Sequence, residues 1–282
     1  MKFNKATLII ALMAAGLGFT ACDDDNEYVP GAPAGKYNVG FDSQENLTLP
    51  FAQQELTVKM SRSNGEGELT VPIEALVVPE FMTLPKQATF ANGSTTADIT
   101  IAIGEGMEAF TDYQISFKVP EEYTNAYAAD GKSPIFSITV KKEDYKVVAN
   151  GLYQASVLFN NTAAQVLEYS AMQDLYRMPN WMDYGTAWYF SFDGGDNFTF
   201  TNKDGEPVTK FLCGVTHSTY GAIYANVLGG NPIGYEDSET PNMEGDFFFP
   251  LQYTVSAGSF GANYEYLIIT QWLEKPWETK AE

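Results

Sequence analysis

The sequence has very few of the residues on which most catalytic and metal sites depend. Among 282 residues there is one histidine, His217, and there are two cysteines, Cys22 and Cys213. One histidine and one further cysteine cannot supply the ligand set of a usual zinc site. Cys213 lies in an apolar run, which is typical of a small buried side chain. Positions four apart in a strand are about 13 Å from each other, so Cys213 and His217 do not indicate a nucleophile and its base.

Other signatures of chemistry are also missing. There is no G-x-S-x-G motif and no glycine-rich phosphate loop before a helix. A glycosidase needs two carboxyl groups about 5–10 Å apart, and no spacing among the 36 acidic residues identifies such a pair. Asp193, Asp196 and Asn197 carry oxygens that could ligate calcium, but an Asp-Gly-Gly-Asp run between strands is more typical of a turn. We therefore predict no catalytic residue, no metal site and no cofactor.

Basic residues are scarce. The 16 lysines and arginines face 36 aspartates and glutamates, which gives a formal net charge of −20. This balance argues against nucleic acid and against anionic membrane surfaces as partners. Because only 18% of the residues are charged and 14% are aromatic, the composition indicates a folded chain and not a disordered acidic tail.

Long apolar runs are absent except at the N-terminus. Residues 6–19 form an apolar stretch behind Lys2 and Lys5, and the small residue Ala21 precedes Cys22. The stretch is too short to span a bilayer, which takes about 20 residues, so residues 1–21 are predicted to be a secretory signal peptide. Residues 19–22 resemble a bacterial lipobox, and this resemblance implies cleavage before Cys22 and its acylation. An ordinary secreted protein is the alternative.

An acidic run follows the cysteine, and proline and glycine follow the run. Residues 22–35 are therefore predicted to be a lipidated cysteine and a flexible tether. The three aspartates after Cys22 resemble the export signal of Bacteroidetes lipoproteins. The resemblance implies an outer-membrane protein that is lipid-anchored and faces the cell exterior, with the membrane as a partner through its anchor alone.

Residues 36–142 alternate apolar and polar side chains, and Asn-Gly, Gly-x-Gly and Asp-Gly turn signals separate the runs. Such alternation is typical of strands with one packed and one wet face. The runs are 55–62, 68–75, 97–103, 112–119 and 133–140. Short strands at this spacing predict a β-sandwich.

The order of residues in this part resembles a Calx-β-like, immunoglobulin-type domain. The resemblance rests on residues 81–85, 88–94 and 113–117, and on the I-x-I pattern of 97–101. Calcium-binding members of that family follow the I-x-I strand with paired aspartates. This chain has Gly-Glu-Gly-Met-Glu at 104–108 instead, so calcium binding is not inferred from the resemblance.

The composition changes at residues 143–150, and all four tryptophans follow. We predict a second antiparallel all-β domain over 143–282, either a sandwich or a small barrel. Residues 163–176 fit a short helix or a pair of strands. Predicted strands are 152–157, 187–192, 197–201, 222–227, 247–255 and 266–270. This aromatic module after a Calx-like domain resembles uncharacterised surface lipoproteins of gut Bacteroidetes.

One aromatic segment is the best candidate for a binding site. Asn180, Trp181, Asp183 and Tyr184 lie in a turn-like stretch before a predicted strand. Aromatic rings at a loop tip suit stacking on a sugar, with Asn180 and Asp183 as hydrogen-bonding neighbours. The alternative is that Trp181 packs beneath its own loop.

These observations favour binding over catalysis. The leading hypothesis is a non-catalytic surface protein that captures a glycan for a nutrient-uptake system, with an uptake-system protein as its partner. A second hypothesis is an adhesion or structural protein that contacts a host or matrix protein. A third is a glycan-acting enzyme.

Overall fold

The structure is a computed structural model that describes residues 37–125 and 130–279. It consists of β-strands joined by turns, with two 3-10 turns, Glu121–Tyr123 and Trp181–Asp183, and one short helix, α1, Pro276–Thr279. The prediction of an all-β chain is confirmed. The predicted signal peptide, Cys22 and the tether lie outside the described residues.

The first nine strands form a β-sandwich. Their bounds are β1 Leu47–Leu49, β2 Glu55–Ser61, β3 Leu69–Pro72, β4 Glu74–Val77, β5 Met82–Thr83, β6 Gln87–Phe90, β7 Thr96–Ile103, β8 Tyr113–Lys118 and β9 Ile135–Lys142. One sheet has the order β1-β9-β8-β4, another has the order β2-β7-β5, and β3 pairs with β6. Strand β1 is parallel to β9, and the other pairs are antiparallel.

The period-two pattern decides which side chains fill the sandwich. In β7 every second residue is buried, from Ala97 to Ile103, because successive side chains of a strand point to opposite faces. Arg62 is also buried, and its guanidinium donates to the carbonyls of Gly65, Gly67, Ala91 and Ser94. These bonds fasten two turns at one end of the sandwich, so this buried charge has a structural role.

The remaining strands form one strongly curled sheet. Their bounds are β10 Lys146–Ala155, β11 Asn161–Ser170, β12 Leu175–Met178, β13 Trp188–Phe192, β14 Phe198–Thr201, β15 Lys210–His217, β16 Gly221–Val227, β17 Gly234–Asp237, β18 Gly245–Val255 and β19 Gly258–Trp272. The order is β14-β13-β12-β11-β10-β19-β18-β16-β15, with β17 on β18. The undecided stretch 163–176 is a strand pair, β11 and β12.

The curl brings the two ends of this sheet together as a half-barrel. Phe200 on β14 lies 5.0 Å from Phe211 on β15, measured between ring centroids. The interior is packed with aromatic rings, among them Tyr153, Trp188 and Phe249. The sequence predicted either a sandwich or a small barrel for this part of the chain. The structure shows a half-barrel, and side chains fill its concave side.

Two separate cores lie on either side of a short connection. One cluster of buried residues runs from Val39 to Val140, and the other runs from Val148 to Ile269. The connection, residues 143–145, is fixed to both sides: the Glu143 amide donates to Leu49 O, and the Glu143 carboxylate pairs with Arg177 of β12. Within residues 37–125 and 130–279, no helix is long and apolar enough to cross a membrane.

Candidate functional site

The segment predicted to bind a ligand forms a tight turn at one end of the half-barrel. The Trp181 amide donates to Thr186 O, and the Met182 amide donates to the side-chain oxygen of Gln165 at 3.1 Å. Asn180 donates to the Asp183 carboxylate at 3.0 Å and accepts from the Gly185 amide at 2.6 Å. The polar groups of Asn180 and Asp183 therefore hold the turn itself.

Trp181 is part of the core. Its side chain is 0% exposed, it stacks on Trp188 at 4.3 Å, and it meets the edge of Tyr153 at 5.5 Å. Met182 and Asp183 have positive φ angles of 49° and 65°, and this left-handed backbone turns the chain so that Trp181 enters the half-barrel. The prediction that Trp181 offers a stacking face at the surface is wrong, and the alternative of packing beneath its own loop is correct.

Tyr184 is the one predicted aromatic that stays at the surface. Its side chain is 42% exposed, and its ring stacks on Phe159 at 5.2 Å with 13° between the planes. Trp181 lies beneath, 5.9 Å from Tyr184. A small two-ring face therefore remains at the end of the half-barrel, and whether Asn180, Asp183 and Tyr184 contact a ligand stays a prediction.

A second candidate site is a cleft between the sandwich and the half-barrel, with a volume of about 320 Å³. Its walls come from distant parts of the sequence: Thr48, Phe110 and Lys141 from the sandwich, Glu143 and Tyr145 from the connection, and Gln173, Tyr189, Lys203 and Asp204 from the half-barrel. Ligand pockets commonly lie between domains and measure about 300–1,000 Å³. The cleft therefore fits a small ligand or the end of a larger one.

Tyr145 is buried where these walls meet. Its ring lies edge-on to Phe110 at 6.3 Å and to Tyr189 at 6.2 Å, and its hydroxyl donates to the Gln173 side-chain oxygen at 2.9 Å. Burial raises the pKa of Tyr145, and the neighbouring Tyr189 raises it further. Tyr145 is therefore a neutral hydrogen-bonding group over the whole physiological pH range.

Arg177 supports the cleft from behind Tyr145. Its guanidinium carbon lies 3.9 Å from the Tyr145 ring centroid, and its nitrogens reach Glu143 and Glu168 at 2.7 Å each. Burial acts against the charge, but hydrogen bonds to the two carboxylates outweigh it and raise the pKa of Arg177. This fixed group orients Glu143, Tyr145 and the start of the half-barrel.

The backbone of Phe110 is strained. Its φ angle is 55°, a value that a bulky residue rarely adopts and that costs about 1–3 kcal/mol. The Phe110 amide donates to Lys142 O at 2.7 Å, which holds the strained residue in place. Strain of this kind collects at functional sites, and here it presents an aromatic ring to the cleft.

Charged groups at the rim complete the cleft. Lys141 pairs with Asp112 at 3.0 Å, and Lys203 pairs with Asp204 at 3.5 Å with both side chains largely exposed. The cleft thus presents aromatic rings together with ammonium donors and carboxylate and amide acceptors. Such a mixture suits a ligand with both hydroxyl groups and flat C–H faces.

The remaining candidates of the sequence have structural roles. Cys213 is buried, and burial raises the pKa of its thiol. The Asp193 carboxylate accepts from the side chain of Asn197 and from two backbone amides; these bonds, led by the Asn197 side chain, lower its pKa. The run 193–197 is thus a turn, as its composition indicates. The described residues contain no group of three or more His, Cys, Asp or Glu placed to hold a metal.

Sequence reasoning missed every side chain of the cleft, because they are far apart in the chain. The one available signal was the compositional boundary at 143–150, which contains Tyr145. A boundary between domains is a common place for a ligand. That signal gives the location of a site but not the residues that face it.

No protein-family model and no curated protein matches the sequence. Among solved structures, a protein of unknown function from Bacteroides ovatus is 9% identical, with 84% of this chain and 95% of that chain covered and a TM-score of 0.34. An auxiliary nutrient binding protein from Bacteroides thetaiotaomicron is 8% identical, with 80% and 88% covered and a TM-score of 0.29. The calcium binding domain CBD12 of CALX1.1 is 10% identical, with 80% and 74% covered and a TM-score of 0.26. Likeness at this level assigns no function to the chain.

Proposed function

We propose that this chain is a lipid-anchored protein of the outer-membrane surface that binds a glycan without transforming it, as part of a nutrient-uptake system. The observation that carries the binding role is the cleft between the sandwich and the half-barrel. It combines a concave shape, a strained aromatic residue at Phe110 and a polar rim. None of these features is needed merely to join two β domains.

A glycan fits this chemistry better than an apolar ligand. Sugar rings have C–H faces that pack on aromatic rings, and hydroxyls that donate to carboxylates and accept from ammonium groups. Phe110 and Tyr189 supply the rings, and Lys141, Lys203 and Asp204 supply polar partners. At about 320 Å³, the cleft is at the lower end of the range for ligand pockets, which suits one or two sugar units.

The acidic groups of the cleft support binding more than catalysis. A glycosidase uses two carboxyl groups that face each other across the sugar, one of them with a raised pKa. Here Glu143 is held by Arg177 at 2.7 Å, and Asp204 lies exposed beside Lys203. Both carboxylates are therefore engaged by cationic side chains, which favours a binding role over the acid–base pair of a glycosidase.

The anchor is the part of the proposal that rests on sequence alone. Cys22→Ala should prevent lipid labelling and release the protein from the membrane fraction. A variant that remains acylated and membrane-bound would contradict the anchor and leave the cleft unaffected. Acyl chains bind membranes with about 0.8 kcal/mol per buried CH₂, so the loss should be complete and not gradual.

The binding role is tested with the chain without its anchor, residues 23–282. A glycan array identifies the ligand, and calorimetry then compares two lysine variants. Lys203→Ala removes a donor of the cleft, and Lys59→Ala is the matched control, because both lysines are exposed (76% and 69%) and each pairs with one aspartate. We expect Lys203→Ala to weaken binding about tenfold, or about 1.4 kcal/mol, and Lys59→Ala to have no effect. Equal affinities, or an array without any bound glycan, would contradict the proposal.

A further inference from the structure

Two long stretches of this acidic chain contain no charged residue. Neither residues 211–235 nor residues 247–264 include an aspartate, glutamate, lysine or arginine, although the chain has a net charge of −20. Charged residues are 18% of the sequence as a whole. Uncharged stretches in a buried strand would need no explanation, but parts of these two are exposed.

The fold joins the two stretches into one face. Strands β15, β16, β18 and β19 are consecutive neighbours in the half-barrel sheet, and they carry most of both stretches. These strands and their hairpin tips are named here the uncharged face. Glu265, the next acidic residue along β19, points inward and is fully buried. Lys210, at the start of β15, lies over the Tyr224 ring at 4.5 Å and marks one border of the uncharged face.

Three rings stand together on this face, at the tips of its hairpins. His217 lies 4.8 Å from Tyr220 and 5.6 Å from Phe260, with 26° and 34° between the ring planes. Tyr220 is 48% exposed and Phe260 is 39% exposed. The His217 Nδ1 atom accepts hydrogen bonds from the amides of Thr219 and Tyr220, so the orientation of the middle ring is fixed. These three neighbouring rings are named here the ring stack.

Further rings lie on the outer side of the same strands, whereas His217 pairs with Gly221 in register with the inward-facing Ile223. Tyr264 lies 6.3 Å from Phe248 and 6.4 Å from Tyr266, and all three are partly exposed. Around the ring stack the exposed side chains include the hydroxyls of Ser218, Thr219, Ser256 and Ser259. The uncharged face therefore presents rings and hydroxyl groups, both at its hairpin tips and along its outer side.

The charge distribution favours a neutral partner for this face. A chain with a net charge of −20 repels anionic polymers and other copies of itself, and an uncharged face offers no ion pair to a charged protein. A neutral polysaccharide needs only what the face has, namely rings for its C–H faces and small polar groups for its hydroxyls. We infer that the ring stack, at the hairpin tips of the uncharged face, binds a neutral glycan chain. This inference rests on the proposed function and adds a second contact surface, on strands that do not line the cleft.

Two attachment points on one polymer would act together. A glycan chain that binds both the cleft and the uncharged face gains affinity, because binding at one surface raises its effective concentration at the other. An oligosaccharide too short to span the two surfaces gains nothing from the second one. The inference therefore predicts that variants of the ring stack affect long glycans much more than short ones.

The test uses residues 23–282 and affinity electrophoresis through gels that contain a soluble β-glucan, an α-glucan or a galactomannan, each compared with its carboxymethylated form. We expect at least one neutral polymer to slow the protein, and its carboxymethylated form to slow it less. Tyr220→Ala with Phe260→Ala should weaken the apparent affinity for the neutral polymer at least tenfold. Tyr220→Ala alone should give a smaller loss in the same direction. Thermal unfolding checks that the variants are folded, and Lys59→Ala is the control.

The outcomes separate this inference from the proposed function. If Lys203→Ala loses glycan binding while the ring-stack variants bind the polymer as the wild type does, the cleft is confirmed and the inference is overturned. Binding of carboxymethylated polymers alone also overturns it. A dimer in sedimentation that the ring-stack variants abolish also overturns the inference, since a second copy would then occupy the face. Attachment to phosphatidylcholine vesicles that the same variants abolish overturns it as well, since a lipid would then occupy the face. If no polymer and no oligosaccharide binds, both proposals fail.

Discussion

Glu265 is an acidic residue buried inside the half-barrel. Its side chain is fully buried, and the hydroxyls of Tyr153 and Tyr253 both donate to one of its oxygens at 2.6 Å. The Val157 amide approaches the other oxygen at 3.4 Å, which ties the loop that carries Phe159 to the core. Burial raises the pKa of Glu265 above its ordinary value of 4.5, although the tyrosine hydrogen bonds act in the opposite direction.

A raised pKa makes the folded state bind a proton more tightly than the unfolded chain does. The stabilisation from protonated Glu265 is therefore complete below the ordinary value of 4.5 and is lost as the pH rises through the pKa of the folded state. Glu265→Gln removes this dependence. In urea unfolding from pH 4 to 8, wild type should lose stability relative to the variant as the pH rises, by up to about 1.4 kcal/mol per pH unit within that window. A difference that stays constant with pH would contradict the raised pKa.

Trp181 and Tyr184 are close neighbours with different roles. Trp181→Ala removes a buried ring stacked on Trp188 and should cost about 3–5 kcal/mol in free energy of unfolding. Tyr184→Ala removes a ring that is 42% exposed and should cost about 1 kcal/mol. Urea unfolding of both variants measures the contrast. Equal losses would mean that Trp181 is not a core residue.

A substitution at Phe110 should lower glycan affinity while leaving the free energy of unfolding nearly unchanged. Glycine adopts the φ of 55° without penalty, so Phe110→Gly relieves about 1–3 kcal/mol of backbone strain and offsets the loss of the contact with Tyr145. We expect a stability within about 1 kcal/mol of wild type, with glycan affinity lowered at least tenfold. Calorimetry and urea unfolding on the same sample give both quantities. A variant with unchanged affinity would remove Phe110 from the site.

At the scale of the elements, the connection between the two β domains organises the space around it. Glu143 and Tyr145 line the cleft, while Asp144 and Lys146 line a second cavity of about 290 Å³. This alternation follows from the period of two in extended chain. Arg177 on β12 fixes the connection through Glu143 and also holds Glu168 of β11.

Loss of Arg177 would leave two carboxylates without a counter-charge in a largely buried place. Arg177→Ala should therefore cost about 3 kcal/mol of stability at pH 7. Lys59→Ala, which breaks an exposed ion pair, should change stability by no more than about 0.5 kcal/mol. Urea unfolding at pH 7 measures both losses. Equal losses for the two variants would contradict the structural role of the Arg177 ion pairs.

The strands were the part of the structure that the sequence predicted best. Apolar and polar residues alternate in runs such as 97–103 and 187–192, and these runs form β7 and β13. Alternation is a local property of a strand and can therefore be recognised in the sequence. Strand β15 was missed, since Gly214 interrupts it with a φ of 93° and a register shift. The direction of Trp181 was left open because it depends on the left-handed turn at Met182 and on the space inside the half-barrel.

At the scale of the whole molecule, the two cores give the chain its division. The predicted boundary at 143–150 is partly inside β10, a strand that pairs with both β11 and β19. A cut at residue 149 would break the second sheet, so fragments intended to fold alone should be divided before residue 143. Independent folding of residues 36–142 and 143–282 remains a prediction. The cleft arises only when both domains are in place, which is why no local pattern revealed it.

The most direct test of glycan binding in the cleft is the crystal structure of residues 23–282 with the glycan identified on the array. We predict that a sugar ring lies in the cleft against Phe110 and Tyr189, with its hydroxyls within hydrogen-bond distance of Lys203 or Asp204. A glycan bound elsewhere, with the cleft occupied only by water at saturating ligand, would contradict this prediction.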